Sequence, residues 1–164
     1  MKAKNIQDLM TIGLTYLLDF EDQIAREAPK MADAAQNPEL KEIFQKTASK
    51  SREYAQKVEQ TFQKLGKTPE RNENHIAKAM INEVRGMIDN TDPGPVRDAA
   101  LIVAANQQQL FRVASYGSMT HYAELLGKKD AAQGLKENLE DSKGGDEKLT
   151  AIGEQKVNPQ AKAA

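Results

Sequence analysis

Apolar residues in this chain recur at alternating spacings of four and three, in runs that stop at Pro, Gly or Asn, and this pattern can be satisfied only by packed amphipathic helices. The clearest run is Met10, Leu14, Leu17, Glu21, Ile24, Ala28 and Met31, one stripe of a helix expected from a cap at Asn5 to about Ala35. Its inward face carries a single carboxylate, Glu21. Pro29 falls late in this run, where a missing backbone donor is expected to bend the final turns without ending them.

Asn37 and Pro38 form a cap and first helical residue for a second helix that Gly66 closes. Its stripe, Leu40, Phe44, Thr47, Ser51, Tyr54, Val58, Thr61 and Leu65, is apolar at the ends and polar in the middle. A shorter third helix is predicted from Ile76, Met80, Val84 and Met87. The turn at 92–95 then starts a fourth helix running to Gly127, apolar on almost every side between Val96 and Ala105. Leu135, Leu139, Ser142, Asp146 and Leu149 predict a fifth, and the tail after Gly153 is expected to fray. No segment alternates with the two-residue period of a strand. The reading is an all-α bundle over residues 1–153 with a flexible tail over 154–164.

At 164 residues and 39% apolar content, one domain can bury about two-thirds of its unfolded surface. The absence of Cys removes thiolate metal sites and disulfides, and favours a reducing compartment. The first helix is amphipathic and not continuously apolar, so neither a secretory signal nor a membrane span is expected; the reading is a soluble, cytoplasmic chain. Lys and Arg number 23 against 24 Asp and Glu, well mixed, which gives no electrostatic footprint for nucleic acid or an anionic membrane.

Individual candidates follow from chemistry. His75 reads as a solvated turn residue, with no second His or Cys at ligand spacing. His121 has Glu124 three residues on, which admits a surface metal pair, but an ordinary partly buried His is preferred. Gln107 to Gln109 read as a solvated face with one inward amide. Gly144 and Gly145 admit two explanations: a helix break with Asp146 capping the continuation, which is preferred, or space for a neighbouring group, water or ligand. No phosphate-cradling Gly loop, nucleophile elbow or Ser and His constellation is present.

The stretch from Asp98 to Gly117 resembles the fourth-helix signature of the YciE/YciF group of ferritin-like stress proteins. Asp19-Phe-Glu-Asp-Gln-Ile24, Ala28-Pro-Lys-Met-Ala-Asp-Ala-Ala35, Pro38-Glu-Leu-Lys-Glu42, Asp146-Glu-Lys-Leu-Thr150 and Val157-Asn158 extend the resemblance over nearly the whole chain. It implies a ferritin-like four-helix bundle with an additional short crossover helix, often dimeric. Such bundles hold two metal ions with one Glu on each of two helices and a Glu-x-x-His pair on each of the others. Carried over by position, that set is degenerate here. Glu21 remains in helix one, but the helix-two slot reads Lys50-Ser-Arg-Glu53, the helix-four Glu position is Gln109 with Arg112 nearby, and the helix-five slot reads Ser142-Lys-Gly-Gly145 with Asp146 as its inward acid.

Two divalent ions need several anionic or imidazole ligands, whereas Glu21, Glu53 and Asp146 are the only acids at these positions, opposed by Lys50 and Arg112. The preferred arrangement is a metal-free cluster in which Lys50 and Arg112 neutralise Glu21 and Asp146. The alternatives are a small polar core with both cations pointing outward, and a rebuilt site holding Fe or Mn weakly through Glu21, Glu53 and Asp146. Tyr54 and Tyr116 project toward the same region as core residues whose hydroxyls need partners. No cofactor is expected.

Three functions are consistent with this reading. A non-catalytic stress-associated scaffold or partner-binding module is preferred; the others are a di-metal oxidase, ferroxidase or peroxide-consuming enzyme, and a small-ligand binder using the space at Ser142, Gly144 and Gly145. The all-round apolar fourth helix predicts a homodimer with Val96, Leu101, Val103 and Leu110 in its interface, and an unidentified protein partner fits the scaffold reading.

Overall fold

The computed structural model describes residues 2–164. The expected all-α bundle is what forms: α1 (Ile6–Ala34), α2 (Pro38–Lys64), α3 (His75–Asp89), α4 (Pro95–Leu125) and α5 (Lys129–Ile152), with no strand among the described residues. The Asn5 and Asn37 side chains accept the first free amides of α1 and α2, and Asn74 does the same for α3. Gly66 and Gly127 adopt φ +69° just beyond α2 and α4, a left-handed conformation that terminates a helix at little steric cost only in glycine.

α1 packs chiefly on α2 and α4 on α5, forming two helical hairpins that meet mainly through α2 and α5. The α1–α4 side is covered in part by α3, which lies on the long connection between hairpins. Asp98, buried at the start of α4, holds the α1–α2 link by accepting the amides of Gln36 at 2.8 Å and Asn37 at 2.7 Å. The crossover is tied by Asp19, which accepts the Asn74 amide at 2.7 Å, and by Arg71, which bridges Asp22 and Glu59.

Every member of the α1 stripe is buried, Glu21 included. Apolar clusters form at the two ends, Met10, Leu14, Leu17, Val58, Phe62 and Leu135 at one and Met31, Leu40, Phe44, Leu101, Leu149 and Ile152 at the other, and a smaller third, Phe20, Ile24, Ala77 and Ile81, lies under α3. Each fully buried Leu or Phe contributes roughly 1.5–3 kcal/mol relative to exposure. The polar belt lies between the clusters.

Three local expectations are corrected. In α3, Val84 is buried and Met80 and Met87 are partly buried against the core as expected, but Ile76 is 53% exposed, and Ala77 and Ile81 pack beside Phe20 and Ile24 in its place. α5 runs unbroken through Gly144 and Gly145, so Asp146 caps nothing. A Cβ on Gly145 would lie 2.8 Å from Gln109 Nε2, which makes Gly145 the room that α4 needs for that side chain. The segment after Gly153 continues as a π-helical turn, Gly153–Val157, and a short helix, α6 (Asn158–Ala163), packed against α4 with Val157 buried in the second cluster.

Candidate functional site

α4 presents Leu101, Ala105, Gln108, Arg112, Tyr116, Met119 and Ala123 inward, again at four-three spacing. Arg112 therefore arrives at mid-bundle facing Glu21 of α1. The guanidinium is 2% exposed and the carboxylate 0%. Arg112 Nε donates to Glu21 Oε1 at 2.9 Å and Oε2 at 3.2 Å, and Nη2 donates to Oε2 at 2.7 Å. Such a two-pronged, charge-assisted contact is the strongest pairing an Arg can make.

Neighbouring groups complete the pair. Nη2 also donates to Ser51 Oγ at 2.9 Å, and the Tyr116 hydroxyl donates to Glu21 Oε1 at 2.9 Å. The guanidinium carbon lies 5.4 Å from the Phe20 ring centroid and 5.3 Å from that of Tyr54, close enough for cation–π attraction. Burial disfavours the Arg112 cation, but the adjoining Glu21 carboxylate outweighs it and holds the guanidinium protonated above its ordinary range. Burial, reinforced by the Glu21 charge, pushes the Tyr116 phenol well up, so it stays a donor.

Lys50 does not enter this cluster. Its ammonium reaches Asp141 at 2.9 Å and Glu53 at 3.5 Å, with about half of each side chain exposed. The Tyr54 hydroxyl donates to the same Asp141 at 2.9 Å, and burial raises the Tyr54 phenol. Desolvation pushes the Asp141 carboxyl up, but hydrogen bonds from Lys50 and Tyr54 more than offset it and hold it below its usual range. The expected neutralisation of Glu21 and Asp146 by Lys50 and Arg112 thus reduces to one buried pair, Glu21 with Arg112. Lys50 takes Asp141 at the surface because its position on α2 is one residue outside the Ser51 stripe.

Asp146 is partly exposed and has no ion-pair partner among the described residues. Glu53 points to solvent. Ser142 is buried but satisfies itself on the Asn138 carbonyl at 2.7 Å. Gln109 is partly exposed and accepts from Arg112 Nη1 at 3.4 Å, while Gln108 supplies the buried amide of that run. His75 is exposed beside Glu73, and His121 is exposed, not partly buried.

Among the described residues, no three His, Cys, Asp or Glu side chains are grouped so as to hold a metal ion. Glu21, Glu53 and Asp146 do not converge, and a cation stands in hydrogen-bond contact with the only fully buried carboxylate of the three. The residues present do not fit the di-metal centre that a ferritin-like bundle implies.

Of the four expected interface residues, Leu101 belongs to the core at 0% exposure, because it lies on the stripe that Arg112 shares. Val96, Val103 and Leu110, seven residues apart, are each about half exposed on the other side of α4. No helix among the described residues is long and apolar enough to cross a membrane.

A sequence model described as Domain of unknown function (DUF892) matches residues 5–162. Protein YciF of Escherichia coli strain K12 is 32% identical over 162 residues, 98% of each chain. The crystal structure of that E. coli stress protein superimposes with a TM-score of 0.90, covering 95% of this chain and 99% of the other. YcfI of Rhodopseudomonas palustris superimposes with a TM-score of 0.86 at 27% identity, over 91% and 95% of the two chains. A Xanthomonas campestris protein, at 16% identity and a TM-score of 0.77 over 97% and 98%, shares the fold.

Proposed function

The chain belongs to the family described as Domain of unknown function (DUF892), and on that premise we propose that it is a stress-associated ferritin-like protein that acts as a dimeric scaffold without catalysing a reaction. The observation that carries this reading is the buried Glu21–Arg112 pair. A metal ion at mid-bundle needs Glu21 as a ligand, and Arg112 already occupies both oxygens of that carboxylate with a positive charge. The stress association rests on the likeness to YciF, a stress protein by description.

Val96, Val103 and Leu110 support the dimer. Their seven-residue spacing makes one apolar stripe along α4, and a second copy of the same stripe is a self-complementary cover for it. An unidentified protein partner would have to use a different face or compete with the second copy.

The test has two parts. Full-length protein supplied with ferrous iron in air should consume oxygen no faster than buffer, and sedimentation equilibrium should give a dimer at micromolar concentration that Val103→Glu converts to a monomer. Catalysed ferrous oxidation would refute the non-catalytic reading. A wild-type monomer would refute the dimer.

A further inference from the structure

We propose that Tyr54 is a one-electron donor to small oxidising radicals: as its electron leaves, its phenolic proton passes to Asp141, and the bundle shelters the neutral tyrosyl radical that remains. The step is stoichiometric and needs no metal, so it stands apart from the scaffold reading and adds to it.

Thiols, indoles and phenols are the side chains that yield one electron most readily, and this chain has no Cys, no Trp and four Tyr. A one-electron oxidant is therefore directed to the phenols. A phenol that loses an electron becomes a strong acid, so the phenol with a proton acceptor already in contact yields its electron most easily. Among the described residues, the Tyr16 and Tyr122 hydroxyls donate to no carboxylate, whereas Tyr116 donates to Glu21 and Tyr54 to Asp141, each at 2.9 Å.

The two acceptors differ in where the proton can go. Glu21 is 0% exposed and both its oxygens are held by Arg112, so protonating it would leave a buried guanidinium without its counter-charge. Asp141 is about half exposed, and Lys50, which it holds at 2.9 Å, keeps Glu53 at 3.5 Å when Asp141 is neutralised. A proton taken by Asp141 therefore passes on to water. The Tyr116 ring lies edge-on to Tyr54 with centroids 6.1 Å apart, so an electron vacancy formed on Tyr116 moves to Tyr54, where the proton can leave.

Arg112 makes the two transfers inseparable. Burial pushes the Tyr54 phenol up, so at neutral pH no phenolate is present to give up an electron alone. The guanidinium carbon of Arg112, 5.3 Å from the ring centroid, repels a positive charge on that ring, so the electron leaves together with the proton. The oxidant gains one electron, the Tyr54 O–H bond breaks, its proton bonds to Asp141, and a phenoxyl radical remains. Tyr54 and Asp141 both line a cleft of about 320 Å³ between α2 and α5, which admits a small oxidant. The Tyr54 residue is itself only 5% exposed, which denies its ring contact with a second tyrosyl radical.

Pulse radiolysis with the azidyl radical tests the step on full-length, chelator-treated protein carrying Tyr16→Phe and Tyr122→Phe, with electron paramagnetic resonance of rapidly frozen samples as the readout. This parent should form a tyrosyl radical that outlives that of free tyrosine many-fold. Adding Tyr54→Phe should abolish the long-lived signal, and adding Tyr116→Phe should leave it. Asp141→Asn should slow radical formation several-fold and remove its solvent deuterium isotope effect, which a merely structural Asp141 would not do. Asp141 is exposed, so that variant keeps the proposal testable even where thermal melting shows Tyr54→Phe unfolded. No long-lived radical in the parent, a long-lived radical that survives Tyr54→Phe, or an unchanged rate and isotope effect in Asp141→Asn overturns the proposal. None of these readouts depends on dimerisation or on metal content, so their failure leaves the scaffold reading where it stood.

Discussion

Replacing Arg112 by Met keeps a long, flexible apolar side chain in the bundle while removing the charge, and so isolates what the guanidinium does for Glu21. In the wild type Glu21 receives three contacts from Arg112, at 2.7, 2.9 and 3.2 Å, and one from Tyr116 at 2.9 Å. Arg112→Met leaves only the last, around a carboxylate that is 0% exposed. Breaking a buried pair by deleting one partner costs ~3–5 kcal/mol, because the survivor stays desolvated without its counter-charge. For a chain of this length each kcal/mol moves the melting temperature by about 2–4 °C, so a fall of roughly 6–20 °C is expected. Adding Glu21→Leu should restore most of the loss, since replacing both partners by apolar groups is often neutral or stabilising. Urea unfolding followed by far-ultraviolet circular dichroism, on wild type, both single variants and the double, closes the cycle. Effects that add to within ~0.5 kcal/mol, or an Arg112→Met loss below ~1 kcal/mol, would refute the claim that the two side chains stabilise each other.

The surface pair should behave differently. Lys50→Met is expected to cost at most ~1 kcal/mol, because Lys50 and Asp141 are each about half exposed and solvent screens them. The depressed Asp141 carboxyl contributes stability that is present above its unfolded pKa of about 4 and is lost as pH falls through its lower folded value; Asp141→Asn should therefore flatten the acid limb of a stability–pH curve slightly. Gly144→Ala, with open space at its Cβ, should stabilise α5 by ~1 kcal/mol in denaturant unfolding. In an alkaline titration read by tyrosinate absorbance, Tyr54 and Tyr116 should ionise only as the fold opens, and Tyr54→Phe or Tyr116→Phe should each remove one phenol from that late phase.

The α1 and α2 stripes were legible because spacing alone marks the face each helix turns into the bundle, although α1 also buries Leu18 and Phe20 outside its stripe, Phe20 under α3. Where a helix meets two environments, spacing is insufficient. Leu101 and Val103 both read as apolar on α4, and only the position of Arg112 and Tyr116 on the Leu101 stripe divides core from surface. In α3 only the first position was misread, because small Ala77 takes the inward place there, and a hydrophobicity pattern gives Ala little weight against Ile76. Within the site, Glu21 and Arg112 were legible as an acid and a base on inward stripes. Lys50 was assigned inward although Ser51 beside it belongs to the stripe, and a helical residue cannot share a face with its immediate neighbour. Asp141 was missed for the same reason, as the residue before buried Ser142; its partners, Lys50 and Tyr54, lie on another helix 91 and 87 residues away in sequence. Gly145 fits only once Gln109 is seen against it, a contact that local sequence does not encode.

Elemental analysis of protein purified without chelator, under metal-replete growth, tests the central claim most directly. With Arg112 neutralising Glu21, iron, manganese and zinc should each be present at far less than one ion per chain, and Glu21→Gln should leave that content unchanged. Two tightly held transition-metal ions per chain, lost on Glu21→Gln, would contradict the account.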